Sequence, residues 1–371
     1  MGLMFNVKLM FSVNMKEGDN MSNFFSITNQ FKFCGNPFRI DTYNSCTFGC
    51  EYCFVKGRSP VTVRGRESEF IDLNNFEKTL YRAFETDCKT RGINMELLRH
   101  RVPFHLGGMS DPFQQREFTD KITYGLLTLL NKYEYPVMIS TKCAELPSEY
   151  WEILNPKTHA FQISLFSNNN DTIRKFEKNT PTVEERILFM KELKNKGFWV
   201  GLRIQPLIHL EDALGVVEDT KGIVDYITVE HLKIPTNDSR LKKRLQPIKD
   251  MYPFYKPKKS RHYEMVKEFK LRNVNKIKEI AICPVGCGDN DLHEYSESRC
   301  CCGIDTIGNE FNNYLKYNTT YFLTGEYNKE DIWIPQSSVR SILNSDCRGN
   351  KELKLISHYV DKYKEETKES L

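Results

Sequence analysis

The sequence predicts an α/β fold: a partial (β/α)6 barrel of the TIM type with a cysteine-rich C-terminal extension. Three observations predict it. Six short β-rich runs alternate with helical patterns between residues 38 and 229, the order that builds a parallel sheet with right-handed crossovers. A cysteine loop follows the first run, where a Rossmann sheet would carry a glycine-rich turn. Beyond about residue 235 the chain turns basic, then cysteine-rich, then charged.

The runs expected as strands are Phe38–Tyr43, Val102–Leu106, Pro136–Ser140, Phe161–Phe166, Phe198–Ile204 and Val224–Val229. Helical patterns fall between them at Asn75–Lys89, Thr119–Tyr133, Thr182–Lys196 and Glu211–Lys221. The last two space their apolar residues near i, i+3, i+4. Thr182 with Glu185, just after Pro181, reads as a capping box. Three regions are expected: a peripheral arm at 1–30, the barrel at 31–235, and a basic, cysteine-rich region at 236–371. In such barrels the chemistry gathers at the C-terminal ends of the strands.

The chain has 371 residues, 40% hydrophobic and 27% charged, as a soluble globular protein has. A formal net charge of +4 does not by itself call for nucleic acid, so any basic footprint must be local. The stretch Met4–Phe11 is too short for a signal peptide and is broken by Lys8. No run approaches the roughly 18 apolar residues of a membrane span. Twelve cysteines in such a chain read as metal ligands before disulfides, and a cytoplasmic location is expected.

Asn44 to Phe54 reads NSCTFGCEYCF, with Cys46, Cys50 and Cys53 in the spacing C-x3-C-x2-C. Three thiolates on one loop can each hold one iron of a cubane cluster. A zinc site would want a fourth ligand nearby, and the loop offers none. The open iron can bind the amine and carboxylate of S-adenosylmethionine (SAM). An electron from the cluster then yields a 5′-deoxyadenosyl radical that abstracts hydrogen.

With Tyr52 before its third cysteine, the motif resembles the signature of the radical SAM superfamily. Later segments resemble its spore photoproduct lyase-like branch, in order over about residues 37–230. They are Gly107-Gly108-Met109, Ser110 to Glu117, Ser140-Thr141-Lys142, Ser164, Glu177 to Arg186, and Gly201 to Ile208. The resemblance implies that Lys142 and Ser164 hold the SAM carboxylate, and that Gly107, Gly108 and Met109 meet its amine. Gln205 and Arg203 are candidates for the adenosine or the substrate. It further implies an electron donor such as flavodoxin or ferredoxin, and a nucleic acid or nucleobase as substrate. A peptide or small metabolite is the alternative. Gly108-Met109 stands where the branch's best-known member has a hydrogen-donating cysteine, so that member's activity is not implied. Cys143 is the candidate donor in its place, although a buried spare cysteine is the commoner state. Asp111 and Glu117 read equally as catalytic groups or as caps of the helix near Thr119.

A second group follows at Cys283, Cys287 and Cys300-Cys301-Cys302, with His293 between. Neighbouring side chains on an extended segment point opposite ways, so Cys300 with Cys302 is the easier pair. A second iron–sulfur cluster or a structural zinc on Cys283, Cys287, Cys300 and Cys302 is the leading expectation. A redox dithiol is the alternative. Residues 241–277 hold twelve Lys or Arg against three acidic residues, with Tyr252, Phe254, Tyr255, Tyr263 and Phe269 interleaved. That stretch suits either a phosphate backbone with stacked bases or a solvated linker with inward aromatics. The competing reading of the whole chain is a non-catalytic iron–sulfur or zinc protein that binds nucleic acid.

Overall fold

A computed structural model describes residues 25–27, 36, 38–53, 55, 70–86, 93–99, 101–258, 260–298 and 300–311. Most of the expected arm at 1–30, the end of the first expected helix at 87–89, Lys259 and the charged tail at 312–371 lie outside the described residues.

All six expected runs are strands. A short strand β1 (Phe25–Ile27) precedes them and pairs antiparallel with β2 (Phe38–Ile40). From β2 the sheet runs in parallel and in chain order through β3 (Phe104–Leu106), β4 (Val137–Thr141), β5 (His159–Ser164), β6 (Val200–Leu207) and β7 (Tyr226–His231). Three further strands, β8 (Ile234–Pro235), β9 (Phe254–Tyr255) and β10 (His262–Met265), make a small separate sheet. Then β11 (Val285–Cys287) returns to pair parallel with β7. The main sheet therefore holds seven parallel strands, with β1 and β11 at its two ends. Among the described residues it is an open, partial barrel. The seventh parallel strand was not foreseen, because Val285-Gly286-Cys287 is too short to carry a period.

The helices in chain order are α1 (Leu73–Phe84), α2 (Ile93–Arg99), α3 (Glu117–Asp120), α4 (Ile122–Asn131), α5 (Ser148–Ile153), α6 (Asn170–Phe176), α7 (Val183–Asn195), α8 (Leu210–Asp219), α9 (Ser239–Met251) and α10 (Lys267–Ile280). The capping box on α7 forms as its sequence dictates: Glu185 N–H donates to Thr182 Oγ1, and the Glu185 carboxylate takes Thr182 N–H. The pattern expected as one helix at Thr119–Tyr133 is two. Lys121 adopts φ 52°, and the Glu117 carboxylate accepts from Thr123 and Tyr124 N–H, both at 2.9 Å. A buried carboxylate thus starts α4 afresh. The stretch 241–277 holds most of α9 and α10, with strands β9 and β10 of the small sheet and a short loop between them.

Alternation along each strand sorts residues onto two faces. Phe38, Ile40, Phe104, Leu106, Val137, Ile139, Phe161, Ile163, Leu202, Ile227 and Val285 enter one large core with the helices. The alternate positions line the concave face. Near the strand starts, Met138 and Ala160 meet Cys300, Ile304 and Phe311 in a second, smaller cluster. Residues 300–311 therefore plug the barrel floor. Side chains of the concave face fasten the plug, Gln162 Nε2 donating to the Cys302 carbonyl at 3.1 Å among them. Tyr226 Oη donates to the Cys300 carbonyl at 3.1 Å, Thr228 Oγ1 to that of Cys301 at 2.9 Å, and Trp199 Nε1 to Thr306 Oγ1 at 3.1 Å.

This close approach needs a glycine on β11. A Cβ on Gly286 would stand 2.2 Å from Tyr226 Oη and 2.5 Å from the Cys301 carbonyl oxygen. Gly286→Ala should therefore push the plug off the floor and lower stability by about 2 kcal/mol, within the range for overpacking. Chemical denaturation reads the loss. Limited proteolysis should show earlier cleavage after residue 298, and an unchanged digest would contradict this account of the floor.

Candidate functional site

The cysteine loop follows β2 and is tied down on several sides. Thr47 N–H donates to Gln114 Oε1 at 2.9 Å, and Gln114 Nε2 donates back to the Ser45 carbonyl at 2.9 Å. Asn179 Nδ2 donates to the Thr47 carbonyl at 3.0 Å, and Glu51 N–H to that of Phe176 at 2.7 Å. Gly49 turns the loop at φ +66°, the left-handed conformation that glycine adopts without strain. Cys50 is buried, while Cys46 and Cys53 are half-buried. None of the three is in a disulfide. Burial, with Asp111 adding to it, pushes the Cys46 thiol up to about 11. Burial pushes Cys50 higher still, opposed chiefly by the Lys142 ammonium.

Among the described residues, no three His, Cys, Asp or Glu side chains converge tightly enough to hold a single metal ion. A four-iron cluster makes a different demand, one thiolate per iron on separate corners. Three coupled thiols on one pinned loop, with no fourth, fit that demand. The raised pKa values of Cys46 and Cys50 mean that iron must displace protons from these two to bind.

Glu177 is the centre of the contacts beside this loop. Its side chain is 1% exposed, and that of Arg186, whose Nη2 lies 2.7 Å away, is 0% exposed. Tyr52 hydroxyl donates to it from within the cysteine motif, and Lys142 Nζ stands 3.9 Å off. Burial opposes its charge, yet Arg186, Lys142 and Tyr52 hold the carboxyl below the usual range. Burial likewise opposes the Lys142 charge, and Glu177, Cys50 and Asp111 outweigh it, raising that pKa. Arg186 also donates to the Ser164 carbonyl at 2.9 Å and, through Nε, to that of Pro181 at 3.1 Å. The expected SAM residues Lys142 and Ser164 are thus joined through Arg186 and Glu177. The motif from Glu177 to Arg186 held this signal in the sequence, but no role had been read from it.

The end of β3 is equally constrained. Gly107 has φ +95°, and a Cβ there would lie 2.2 Å from the Ser140 carbonyl oxygen. Asp41, which sequence reasoning missed, accepts from Met109 N–H at 2.7 Å and Ser110 N–H at 3.3 Å. A trans peptide sets its carbonyl opposite its N–H, so the carbonyls of Gly108 and Met109 face away from Asp41. Burial raises Asp41 to about 7 against the pull of Arg39. Asp111 fastens β3 to β4, accepting from Thr141 Oγ1 at 2.7 Å, Lys142 N–H at 2.7 Å and Phe113 N–H at 3.0 Å. It is a clamp on the Lys142 backbone, and the cap of the helix near Thr119 is Glu117 alone.

The middle of the concave face is polar. His105 Nε2 and Ser140 Oγ are 2.8 Å apart, and Arg203 Nη1 donates to Ser140 Oγ at 3.0 Å. Burial, then Arg203 and Arg39, depress His105 to about 3, so it is neutral. Gln205 links Arg203 to Glu230, and Lys233 Nζ lies 2.5 Å from Glu230. Behind Glu230, buried Asp289 accepts from His231 Nδ1 at 2.7 Å and faces Lys270 Nζ at 3.7 Å. Burial raises the Asp289 carboxyl, but His231, Lys233 and Lys270 overcome it and hold it far below the usual range.

The other cysteines fall elsewhere. Cys143, the expected donor, is turned into the outer core, where its thiol donates to the Glu145 carbonyl at 2.8 Å and is pushed up to about 12 by burial. It does not join Lys142 on the concave face. The expected second metal site is divided by the sheet: Cys287 is in the outer core with Cys283 packed against it, whereas Cys300 and Cys302 are on the barrel floor. Period-two alternation on β11 sends Cys287 outward and leaves Gly286 against the plug. Cys300 and Cys302 do meet, with sulfurs 3.2 Å apart. His293 is buried and depressed by burial.

No protein-family model matches the sequence, and no curated protein matches it. The fold resembles those of several solved radical SAM enzymes. Spore photoproduct lyase complexed with dinucleoside spore photoproduct is 13% identical over 69% of this chain and 75% of that one, with a TM-score of 0.48. SuiB of Streptococcus suis bound to S-adenosylmethionine is 15% identical over 58% and 48%, with a TM-score of 0.40. TYW1 with a lysine-pyruvate adduct bound is 12% identical over 71% and 79%, with a TM-score of 0.42. These are distant resemblances of fold.

Two outcomes follow from the buried charges. Glu177→Gln leaves Arg186 and Lys142 without their carboxylate, and should cost about 3 kcal/mol. The cysteine loop should lose order with it, read as faster alkylation of its thiols; unchanged alkylation with unchanged stability would contradict the hub. Asp289 has a folded pKa below its unfolded value of about 3.9. Its contribution is complete above the unfolded pKa and is lost as pH falls toward the folded one. Asp289→Asn should therefore destabilise strongly at pH 6 and progressively less below pH 4, as urea titrations at each pH will show.

Proposed function

We propose that the chain is a radical SAM enzyme in which Cys46, Cys50 and Cys53 hold a [4Fe–4S] cluster. The observation that carries this reading is the place of Lys142. Its ammonium stands beside Cys50 and Glu177, on the same strand-end rim as the cysteine loop. A cation beside one thiol of the three suits a ligand with a carboxylate that must also reach the metal.

The remaining assignments take the roles the resemblance implies onto this rim. Lys142 and Ser164 hold the SAM carboxylate. The carbonyls of Gly108 and Met109, turned away from Asp41, receive its ammonium group, and Gly107 allows that segment to lie against β4. When bound, cluster and SAM supply an electron and a 5′-deoxyadenosyl radical that takes hydrogen from the substrate. The plug at 300–311 closes the floor and keeps bulk water from entering there. His105, Gln162, Arg203, Gln205 and Glu230 offer donors and acceptors on the concave face. That set suits the edge of a nucleobase, free or in a nucleic acid. An oxygen-sensitive cluster fits a reducing cytoplasm and a flavodoxin or ferredoxin as electron source.

The test is anaerobic reconstitution followed by dithionite reduction and assay for 5′-deoxyadenosine. The chain should take up about four irons and form the nucleoside. Alanine at Cys46, Cys50 or Cys53 should abolish both. Lys142→Ala should weaken SAM binding by roughly 10- to 100-fold, the loss of one charged hydrogen bond, with the cluster intact. Zinc should be absent, and replacing Cys283 and Cys287 by Ser should leave the iron count unchanged. An intact cluster that never cleaves SAM would favour the non-catalytic, nucleic-acid-binding reading.

A further inference from the structure

A cluster on the cysteine loop needs an electron from outside the chain, and one charged face lies where a carrier could deliver it. Helix α9 buries Leu241, Leu245 and Ile248. On its other side Arg240, Lys243 and Arg244 stand together at i, i+3 and i+4, all exposed. Arg244 Nε meets Glu51 Oε2 at 2.6 Å, and its Nη1 donates to the Glu51 carbonyl at 3.4 Å. Glu51 sits between Cys50 and Cys53. That contact lays the basic face of α9 along the outside of the cysteine loop. From α6 and the turn after it, Lys178 Nζ approaches Glu51 Oε1 at 3.1 Å, with exposed Lys175 beside it.

The nearby acids are already engaged. Glu51 answers two cations, Asp238 caps α9 through Leu241 N–H at 2.9 Å, and Asp171 pairs with Arg174 at 3.9 Å. Asp250 accepts from Gln246 at 2.6 Å. Arg240 and Lys243 make no ion pair among the described residues. The patch therefore keeps a positive surplus around a loop whose Cys46 and Cys53 are only half-buried.

We propose that this face docks a flavodoxin-class electron carrier, a small acidic protein, over the cysteine loop. The proposal rests on the radical SAM reading. One electron passes from the carrier's reduced flavin to the cluster; the flavin is oxidised by one electron, the cluster is reduced by one, and no bond is made. Opposite surface charge steers such encounters and sets their rate. A nucleic acid fits this face less well, because two of the interleaved aromatics, Tyr252 and Tyr263, are already engaged within the protein. Tyr252 is hydrogen-bonded to His209 Nδ1 at 2.7 Å and packs on Phe269, and the Tyr263 ring is covered by Lys249 at 4.0 Å.

The experiment compares the full chain with the double variant Arg240→Glu, Lys243→Glu, which leaves the buried side of α9 intact. Binding of flavodoxin to the unreconstituted chain is measured by interferometry over a range of salt. Affinity should fall at least about tenfold on charge reversal and fall with salt in the wild type. After reconstitution, flavodoxin-driven formation of 5′-deoxyadenosine should drop in step, while dithionite-driven formation stays the same. Equal flavodoxin affinity in the two proteins overturns the proposal. So does a variant that loses duplex DNA but keeps flavodoxin, which would make the face a nucleic-acid surface. Failure of dithionite to drive cleavage in the wild type would sink the radical reading alone; the binding comparison still decides the docking face.

Discussion

A single buried carboxylate holds the functional end of this molecule together. Glu177 is almost without solvent, and such a charge is tolerable only where opposite charges and hydrogen bonds surround it. Arg186 supplies the charge from the apolar stripe of α7, Lys142 adds a second from the end of β4, and Tyr52 donates from the cysteine motif. Each partner belongs to a different element. The carboxylate therefore fixes a helix, a strand end and the cysteine loop relative to one another. An isolated arginine at 0% exposure on a helix face would be a defect; here it carries the Ser164 carbonyl to the same hub.

The second constraint is the alternation of the parallel strands. One set of positions fills the core under the helices, and the other builds a concave face in layers. Its floor is apolar and sealed by the segment from Cys300 to Phe311. Its middle is a hydrogen-bonded set around Ser140, Arg203 and a neutral His105. Its rim carries Asp41, Lys142, Ser164 and the cysteine loop. Polarity thus rises from the closed end toward the open one.

Much of this was legible in the sequence. The six strands, the capping box at Thr182 and the loop at Cys46–Cys53 rest on local spacing, and each appears where that spacing put it. Boundaries moved by a few residues at most, because hydrogen bonding along the ladder decides where a strand stops. What escaped depended on partners far along the chain. Glu117 starts a new helix because its carboxylate is held among Tyr43, Tyr150 and the first amides of α4. The strand at Val285–Cys287 exists because β7 offers an edge, and three residues with a central glycine give no periodic sign of that.

The sequence by itself determined a parallel α/β sheet and a loop of three thiols, since period and spacing are properties of neighbouring residues. Only the tertiary structure decided which residues share a site. It sent Cys287 into the core under the helices and the loop carrying Cys300 onto the concave face, because alternation on β11 turns Gly286, not Cys287, toward that loop. It brought Arg244 to Glu51 across 193 residues, a contact made by the packing of α9 against the rim and by nothing in either segment alone.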